Sequence, residues 1–257
     1  MDKVLNVALI QTSLVWENPQ ANRESLAVKI KAILPNVDLI ILPEMFTTGF
    51  TMSPQNIEKE EGEQTLVWMQ QKAKEKDAAI VGSLVFHENG AHTNRLLFVE
   101  PNGKTSIYDK RHTFTLAGED KVYKAGKERL IVNYKGFKIC PMICYDLRFP
   151  VWARNTEEYD VLLYVANWPE PRITAWDTLL KARAIENMTY CIGVNRIGTD
   201  QVGHKYPGHS VVFDALGKDL IYTKEEEVVT ASLSKKHVDD VRDKLKFLDD
   251  RDLFSLE

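Results

Sequence analysis

Three residues that could carry chemistry each follow a run that is typical of a β-strand. Glu44 comes directly after VDLIILP, Lys110 after SIYD and Cys144 after KICPMI. A cysteine thiol attacks a carbonyl carbon when a base takes its proton, and a cation stabilises the oxyanion that then forms. These three residue types together predict nucleophilic chemistry on a carbonyl group.

With Glu44 as the base, this chemistry needs no histidine. Glu44 would take the proton of the Cys144 thiol, return it to a leaving amine, and then activate the water that hydrolyses the thioester. Lys110 would stabilise first the thiolate and then the oxyanion. A Cys–His pair is the rival arrangement. Its candidates are His112, His204 and His209.

Each of the three residues also has a plainer interpretation. A glutamate after a strand is usually exposed or caps a helix, and a lysine within the charged segment DKRH is usually solvated. Cysteine is among the most buried residue types, and Cys140 and Cys191 fit that role because each lies inside an apolar run. Cys144 differs from them, since its neighbours on the C-terminal side turn polar.

Continuous apolar runs predict strands that are buried on both faces. Three of them are VDLIILP (37–43), AAIVGSLVF (78–86) and YDVLLYVANW (159–168). Ligands of α/β proteins bind beyond the carboxyl ends of such strands. The strand ends are therefore a suitable place for the candidate residues to meet.

Helical patterns lie between these strands, at 22–34, 64–76 and 174–188. The predicted apolar face of the first helix consists of Leu26, Ile30, Ile33 and Leu34. Thr174 is predicted to cap the start of the third helix, because a threonine side chain can accept from a free backbone N–H there. The alternation of strands and helices indicates an α/β fold.

Two hairpins and a last helix complete the pattern. The segments 93–110 and 209–223 each read as two strands joined by a turn, which predicts mixed sheets. A C-terminal helix and tail are expected over about 234–257, with the helix ending near residue 246. The sequence thus predicts a single domain over 1–257, with helices outside packed sheets.

The composition excludes several classes of protein. Hydrophobic residues make up 44% and charged residues 27% of the 257 positions, as in ordinary globular proteins. The net charge of −4 argues against a nucleic-acid-binding protein, which usually has a basic excess. Three cysteines without a CxxC pair favour a reducing compartment. Because the chain shows neither a signal-peptide pattern nor a membrane-span pattern, we expect a cytoplasmic protein without membrane association.

The sequence shows no pattern for a metal or a cofactor. Its six histidines and three cysteines lack the spacing of metal ligands. The segment GEDKVYKAGK lacks the glycine spacing of a phosphate-binding loop. Since the thiol chemistry requires neither, we expect no cofactor.

Three motifs together resemble the nitrilase superfamily of carbon–nitrogen hydrolases. They are LPEMFTTGF (42–50), YDKRHTF (108–114) and CYDLRFP (144–150), and they occur in the order that is found in that family. The resemblance runs along nearly the whole chain. It implies a four-layer α-β-β-α sandwich and a homodimer.

The resemblance also implies a role for each motif residue. Glu44 would be the general base, Lys110 the cation on the oxyanion side and Cys144 the nucleophile. Glu119, in the segment GEDKVYKAG, matches a second glutamate of the family and would hold Lys110 and the substrate amide. The backbone N–H of Tyr145 would complete the oxyanion hole.

Within the superfamily, the segments EMFTTGF, CYDLRFPVW and YVANWPEPR look most like bacterial omega-amidases. This resemblance implies hydrolysis of the terminal amide of 2-oxoglutaramate or 2-oxosuccinamate to the oxo acid and ammonia. The candidate walls of the substrate site are Phe46, Trp168 and Tyr145. The candidate cations for the remote carboxylate are Arg172 and Arg148. For Arg148 the alternative role is to brace the turn after the nucleophile.

Two other functions remain open at this point. A second enzyme would keep the same three residues but act on an N-carbamoyl amino acid, a nitrile or an aliphatic amide, because the triad contacts only the reacting carbon. A catalytically silent scaffold on the same fold is the third possibility. A scaffold is expected to have a broken triad, whereas Glu44, Lys110 and Cys144 are all present.

Overall fold

Apolar runs form the inner strands of two sheets in the computed structural model, which describes residues 2–255. The strands of the first sheet are β1 (Val4–Gln11), β2 (Leu39–Ile41), β3 (Ala79–Glu88), β4 (Ala91–Val99), β5 (Thr105–Asp109) and β14 (Glu227–Ser234). They lie in the order β14-β1-β2-β3-β4-β5. Strands β1, β2 and β3 are parallel, while β4 is antiparallel to both β3 and β5. The ends of β2 and β5 therefore lie at the same edge of this sheet.

The second sheet also has six strands and a parallel centre. Its strands are β6 (Val132–Tyr134), β7 (Phe137–Ile143), β8 (Val161–Ala166), β9 (Tyr190–Asn195), β12 (Ser210–Phe213) and β13 (Asp219–Thr223). They lie in the order β13-β12-β9-β8-β7-β6, with β7, β8 and β9 parallel. A separate two-stranded hairpin consists of β10 (Ile197–Thr199) and β11 (Lys205–Pro207).

Helices α1 (Pro19–Ala32) and α2 (Glu61–Lys76) cover the outer face of the first sheet, and α5 (Ile173–Asn187) covers that of the second. The structure also contains the helices α3 (Glu119–Val122), α4 (Pro150–Ala153) and α6 (Lys235–Leu245). Leu26 of α1 and Met69 of α2 share one core cluster with Ile80 of the first sheet. Leu180 of α5 packs in the cluster that contains the second sheet. None of the described helices is both long enough and apolar enough to span a membrane.

The inner faces of the two sheets pack against each other. The ring of Tyr134 in β6 lies edge-on to Phe98 in β4, with 5.6 Å between the ring centroids. The Tyr134 hydroxyl accepts a hydrogen bond from the backbone N–H of Ala79 at 3.3 Å and donates to the carbonyl oxygen of Asp38 at 3.1 Å. The layers thus run helix, sheet, sheet, helix, which confirms the predicted α-β-β-α sandwich.

The last strand of the fold pairs with the first. Strand β14 runs antiparallel to β1, from Val4 opposite Ser234 to Gln11 opposite Glu227. Both predicted hairpins are present, as β4–β5 and as β12–β13. The C-terminal helix is present as α6, and residues 256–257 of the predicted tail lie outside the described residues.

Two local predictions are wrong. Leu34 is 68% exposed, because α1 ends at Ala32 and the chain then leaves the face that packs on the sheet. Thr174 does not cap α5, because a 3₁₀ turn over Glu170–Arg172 leads directly into the helix and Arg172 stands at the cap position.

Candidate active site

Strand ends and one short helix bring four ionisable side chains together between the sheets. Glu44 lies three residues beyond β2 and Lys110 directly follows β5, both at one edge of the first sheet. Cys144 directly follows β7 in the second sheet, and Glu119 begins α3. Glu44 and Cys144 are 100 positions apart in the sequence, and they come together because the two sheets pack face to face.

Lys110 is the centre of this cluster. Its ammonium nitrogen donates to Glu44 Oε1 at 2.9 Å and to Glu119 Oε1 and Oε2 at 3.0 and 2.9 Å. All three side chains are buried. Burial alone lowers the pKa of Lys110, but the charges of Glu119 and Glu44 outweigh it and raise the pKa above its ordinary value. The two carboxylates therefore favour the charged form of Lys110.

The ammonium group of Lys110 donates to both carboxylate oxygens of Glu119 and to one of Glu44. Burial raises the pKa of Glu119, with Lys110 opposing this effect and the charge of Glu44 adding to it. Glu119 also accepts from the backbone N–H of Phe114 at 2.5 Å, so it is held in place from two sides. Glu119 thus matches its predicted role of holding Lys110.

Two asparagines that the sequence analysis missed orient Glu44. Asn94 Nδ2 donates to Glu44 Oε1 at 2.8 Å, and the backbone N–H of Asn167 donates to Oε2 at 2.8 Å. Asn167 Nδ2 also donates to the carbonyl oxygen of Glu44 at 2.7 Å. Asn167 directly follows β8, just as Cys144 follows β7, so its position at a strand end was a usable signal. Asn94 lies within β4, where no feature of the sequence marks it as part of a site.

Cys144 stands in a strained turn beside Glu44. Its φ of 44° lies in the left-handed region, and a 3₁₀ turn over Cys144–Arg148 begins there. Burial raises the pKa of the Cys144 thiol well above its ordinary value; the charge of Glu44 and a side-chain hydrogen bond to it act in the same direction, while Lys110 opposes them. The raised pKa favours the protonated thiol, which lies beside the side chain of Glu44.

The turn after Cys144 is braced by residues other than Arg148. Asp146, which is buried, accepts from the backbone N–H of Ile143 at 3.0 Å. Arg183 Nη2 donates to the carbonyl oxygen of Leu147 at 2.6 Å. Arg148 instead lies on the wall of a cavity.

This cavity has a volume of about 490 Å³ and opens beside Cys144. Its wall includes Tyr145, Trp168, Arg148 and Arg172, and its other aromatic residues are Trp16, Phe50, Phe114 and Tyr206. The guanidinium of Arg148 lies 5.1 Å from the ring centre of Trp168, and that of Arg172 lies 5.1 Å from that of Phe114. Within residues 2–255, neither arginine forms an ion pair with a carboxylate.

Comparison with known proteins places this site in a family. The model of the carbon–nitrogen hydrolase family matches residues 6–243. This chain belongs to the carbon–nitrogen hydrolase family. It is 43% identical over 254 residues to omega-amidase YafV of Yersinia enterocolitica, with 98% of both chains covered. It is 30% identical to 2-oxoglutaramate amidase of Bacillus subtilis, with 96% of this chain and 98% of the relative covered.

A solved structure shows the same fold. XC1258 from Xanthomonas campestris, described as a CN-hydrolase superfamily protein with an arsenic adduct in the active site, superposes with a TM-score of 0.96. The two chains are 39% identical, and the match covers 100% of each. The protein is therefore a hydrolase with the nitrilase-type α/β fold.

One predicted wall residue of the hydrolase lies elsewhere. Phe46 is buried in the outer core, with its ring centroid 6.1 Å from that of Trp68 in α2. The φ of Met45 is 43°, and this left-handed residue turns the chain between Glu44 and Phe46, so that the two side chains point into different layers. Phe50, four residues later, lies on the cavity wall.

The three histidines that were candidates for a Cys–His pair each contact an aspartate. His112 Nδ1 lies 2.8 Å from Asp146 Oδ1, and His209 Nδ1 lies 2.9 Å from Asp177 Oδ2. His204, on the cavity wall, has its Nδ1 3.3 Å from Asp200 Oδ2. These contacts favour Glu44 over a Cys–His pair. Among the described residues, no group of three or more histidines, cysteines or acids is arranged to hold a metal ion.

Proposed function

We propose that this carbon–nitrogen hydrolase is an omega-amidase that acts through a cysteine thioester. Its substrates would be 2-oxo dicarboxylate monoamides such as 2-oxoglutaramate and 2-oxosuccinamate. The observation that carries the proposal is the meeting of Glu44, Lys110, Glu119 and Cys144 beside a cavity with two arginines that form no ion pair with any residue of the segment 2–255. The names of the relatives, an omega-amidase and a 2-oxoglutaramate amidase, support the same activity.

The first half of the reaction forms the thioester. Cys144 Sγ attacks the amide carbon while Glu44 takes the thiol proton, and the carbonyl oxygen becomes an oxyanion. The charge of Lys110 and the backbone N–H of Tyr145 stabilise this oxyanion. Glu44 then passes its proton to the amide nitrogen, the carbon–nitrogen bond breaks, and ammonia leaves.

The second half returns the enzyme to its resting state. Glu44, again ionised, takes a proton from a water molecule that attacks the thioester carbon. The carbon–sulfur bond breaks, the oxo acid leaves, and the thiolate regains the proton from Glu44. One carboxylate thus serves as base and acid twice, which suits its fixed position between Lys110 and Asn167.

Arg148 and Arg172 are proposed to select the substrate. A 2-oxo dicarboxylate monoamide carries a carboxylate at the end remote from its amide, and a guanidinium binds a carboxylate through two parallel hydrogen bonds. Both arginines lie over aromatic rings, which hold them without neutralising their charge. An anionic acyl group would therefore bind better than a neutral one.

The test of the mechanism is ammonia release from 2-oxoglutaramate by wild type and by Cys144→Ala. We expect the alanine variant to lose activity by at least about 10³-fold, since it removes the nucleophile. Cys140→Ala is the matched control, because Cys140 lies in the core on β7, the strand that Cys144 follows. This variant should retain the wild-type kcat. Hydrolysis that survives Cys144→Ala would refute the thioester mechanism.

A substrate panel tests the specificity. The panel contains 2-oxoglutaramate, 2-oxosuccinamate, glutamine, an N-carbamoyl amino acid, an aliphatic nitrile and butyramide. We expect the two oxo-amides to show the highest kcat/KM. A higher kcat/KM for the carbamoyl compound or the nitrile would replace the omega-amidase assignment with one of the alternatives.

A further inference from the structure

Lys110 and Cys144 must act on the same carbonyl group although they belong to different sheets. Lys110 follows β5 of the first sheet, and Cys144 follows β7 of the second. A shift of about 1 Å in a catalytic group can cost roughly 100-fold in rate. Something must therefore hold these two strand ends in register.

The carboxylate of Asp146 contacts both strand ends. Its Oδ2 accepts from the Tyr108 hydroxyl at 2.7 Å and from the backbone N–H of Ile143 at 3.0 Å. Its Oδ1 accepts from the backbone N–H of His112 at 3.0 Å and lies 2.8 Å from His112 Nδ1. Tyr108 and His112 stand two residues on either side of Lys110, and Ile143 directly precedes Cys144.

The turn at Cys144 needs such support. A residue other than glycine with φ of 44° is strained, and it keeps this conformation only where its surroundings hold it. The bond from the Ile143 N–H to Asp146 closes this turn. Releasing Asp146 would let the turn relax and move the sulfur atom.

We propose that Asp146 and His112 form a clamp that positions Cys144 against Lys110. Both are positioning residues, since neither lines the cavity. His112 holds its side of the clamp by the Nδ1 contact and by a stack on Phe149, with ring centroids 3.7 Å apart and planes 5° apart. The inference rests on the proposed role of Cys144 and adds residues to which the proposed reaction assigns no part.

Three substitutions separate the hydrogen bond from packing. His112→Phe keeps a flat ring on Phe149 but removes the Nδ1 donor. His112→Asn removes the stack but places an amide N–H near the position of Nδ1. Asp146→Asn keeps the shape but turns an NH₂ group toward two of the four donors.

The clamp predicts a loss in kcat with KM unchanged. For 2-oxoglutaramate we expect His112→Phe to lower kcat about tenfold and Asp146→Asn about 100-fold. His112→Asn should regain kcat to within about threefold of wild type, because the hydrogen bond to a charged acceptor is restored. KM should stay within about twofold throughout, since the substrate does not touch the clamp.

Asp160→Asn is the matched control. Asp160 is also buried and accepts a backbone N–H, that of Lys138 at 2.9 Å, but its charged partners are Lys235 and Arg242 near α6. Its substitution should lower Tm without changing kcat. A similar pattern in Asp146→Asn and His112→Phe, with lower Tm and wild-type kcat, would mean a purely structural role and overturn the clamp.

Other outcomes are equally decisive. A rise in KM at constant kcat would place these residues in substrate binding and reject the clamp. If Asp146→Asn does not fold, equal kcat values of His112→Phe and His112→Asn reject it. Activity of Cys144→Ala would refute the thioester mechanism itself, whatever the clamp variants do, so the two failures are distinguishable.

Discussion

The buried cluster of Glu44, Lys110, Glu119 and Cys144 and the wall of the cavity surround their cations with opposite kinds of partner. In the cluster, Lys110 is buried and contacts the carboxylates of Glu44 and Glu119. On the wall, Arg148 and Arg172 are partly exposed and lie over aromatic rings without a carboxylate partner in the described part of the chain. The difference fits the proposed function, in which the cluster carries out the reaction and the wall offers positive charge to an anionic substrate.

The most damaging change within the cluster should be Glu44→Gln. It removes the general base, so kcat/KM should fall by about 10³-fold. Iodoacetamide labelling of Cys144 at neutral pH should nevertheless become faster. The charge of Glu44 and its hydrogen bond raise the pKa of the thiol, and their loss lowers that pKa and increases the thiolate fraction.

The control for this experiment is Glu75→Gln, which alters an exposed carboxylate on α2 that pairs with Lys72. Both hydrolysis and labelling should remain at wild-type values. If Glu44→Gln kept its hydrolytic rate, or if its labelling rate fell, the assignment of Glu44 as the base facing the thiol would be wrong.

The next effect concerns the stability of the cluster. Lys110→Met leaves two buried carboxylates without their cation, so the free energy of unfolding should fall by at least about 3 kcal/mol, measured by urea denaturation. Lys104→Met is the matched control, because Lys104 also lies 2.9 Å from a carboxylate but is 61% exposed. Its cost should stay below about 1 kcal/mol. If the two variants lost the same free energy of unfolding, the buried ion pairs of Lys110 would contribute no more to stability than the exposed pair of Lys104.

The wall is probed by Arg148→Gln and Arg172→Gln. Each should raise KM for 2-oxoglutaramate, by about tenfold for the arginine that binds the carboxylate, with kcat nearly unchanged. KM for butyramide, which is neutral, should not change. The variant with the larger shift identifies the anchor.

Lys224→Gln serves as the control for the wall, because Lys224 also lies over an aromatic ring, 5.7 Å from that of Tyr222, but outside the cavity. It should leave both KM values at wild type. If neither arginine variant altered KM for the anionic substrate, the proposal that Arg148 or Arg172 binds the substrate carboxylate would be wrong.

The smallest effect is expected for Leu116→Ala. Leu116 lines the cavity but is 80% exposed, so its truncation removes little buried apolar area. KM and kcat should change by less than about twofold, and Tm should not change. A large effect would show that the bound substrate covers the side chain of Leu116.

The sequence predicted which ionisable side chains meet better than it predicted the residues that support them. Glu44, Lys110, Glu119 and Cys144 meet as expected, because each stands at an element end that the apolar pattern makes visible. Asn94 and Asp146 were missed, since their roles come from contacts between segments far apart in the chain. No local pattern records such contacts.

Backbone geometry explains the wrong prediction for the wall. Phe46 is close to Glu44 in sequence, yet the left-handed Met45 sends the two side chains into different layers. Tyr145 and Trp168 do line the cavity as predicted. The single domain, the homodimer, the cytoplasmic location and the oxyanion contact of the Tyr145 N–H stay predictions.

The pairing of β14 with β1 has a consequence for how the protein is made. Val4 pairs with Ser234, about 230 positions later, so this contact joins segments from opposite ends of the sequence. Contacts of this kind form late because a long loop must close first. During synthesis, the backbone N–H and C=O groups on one edge of β1 would stay unpaired until most of the chain has left the ribosome. The newborn chain is therefore open to strand-mediated aggregation over this interval, and a chaperone that shields extended segments would raise its folding yield.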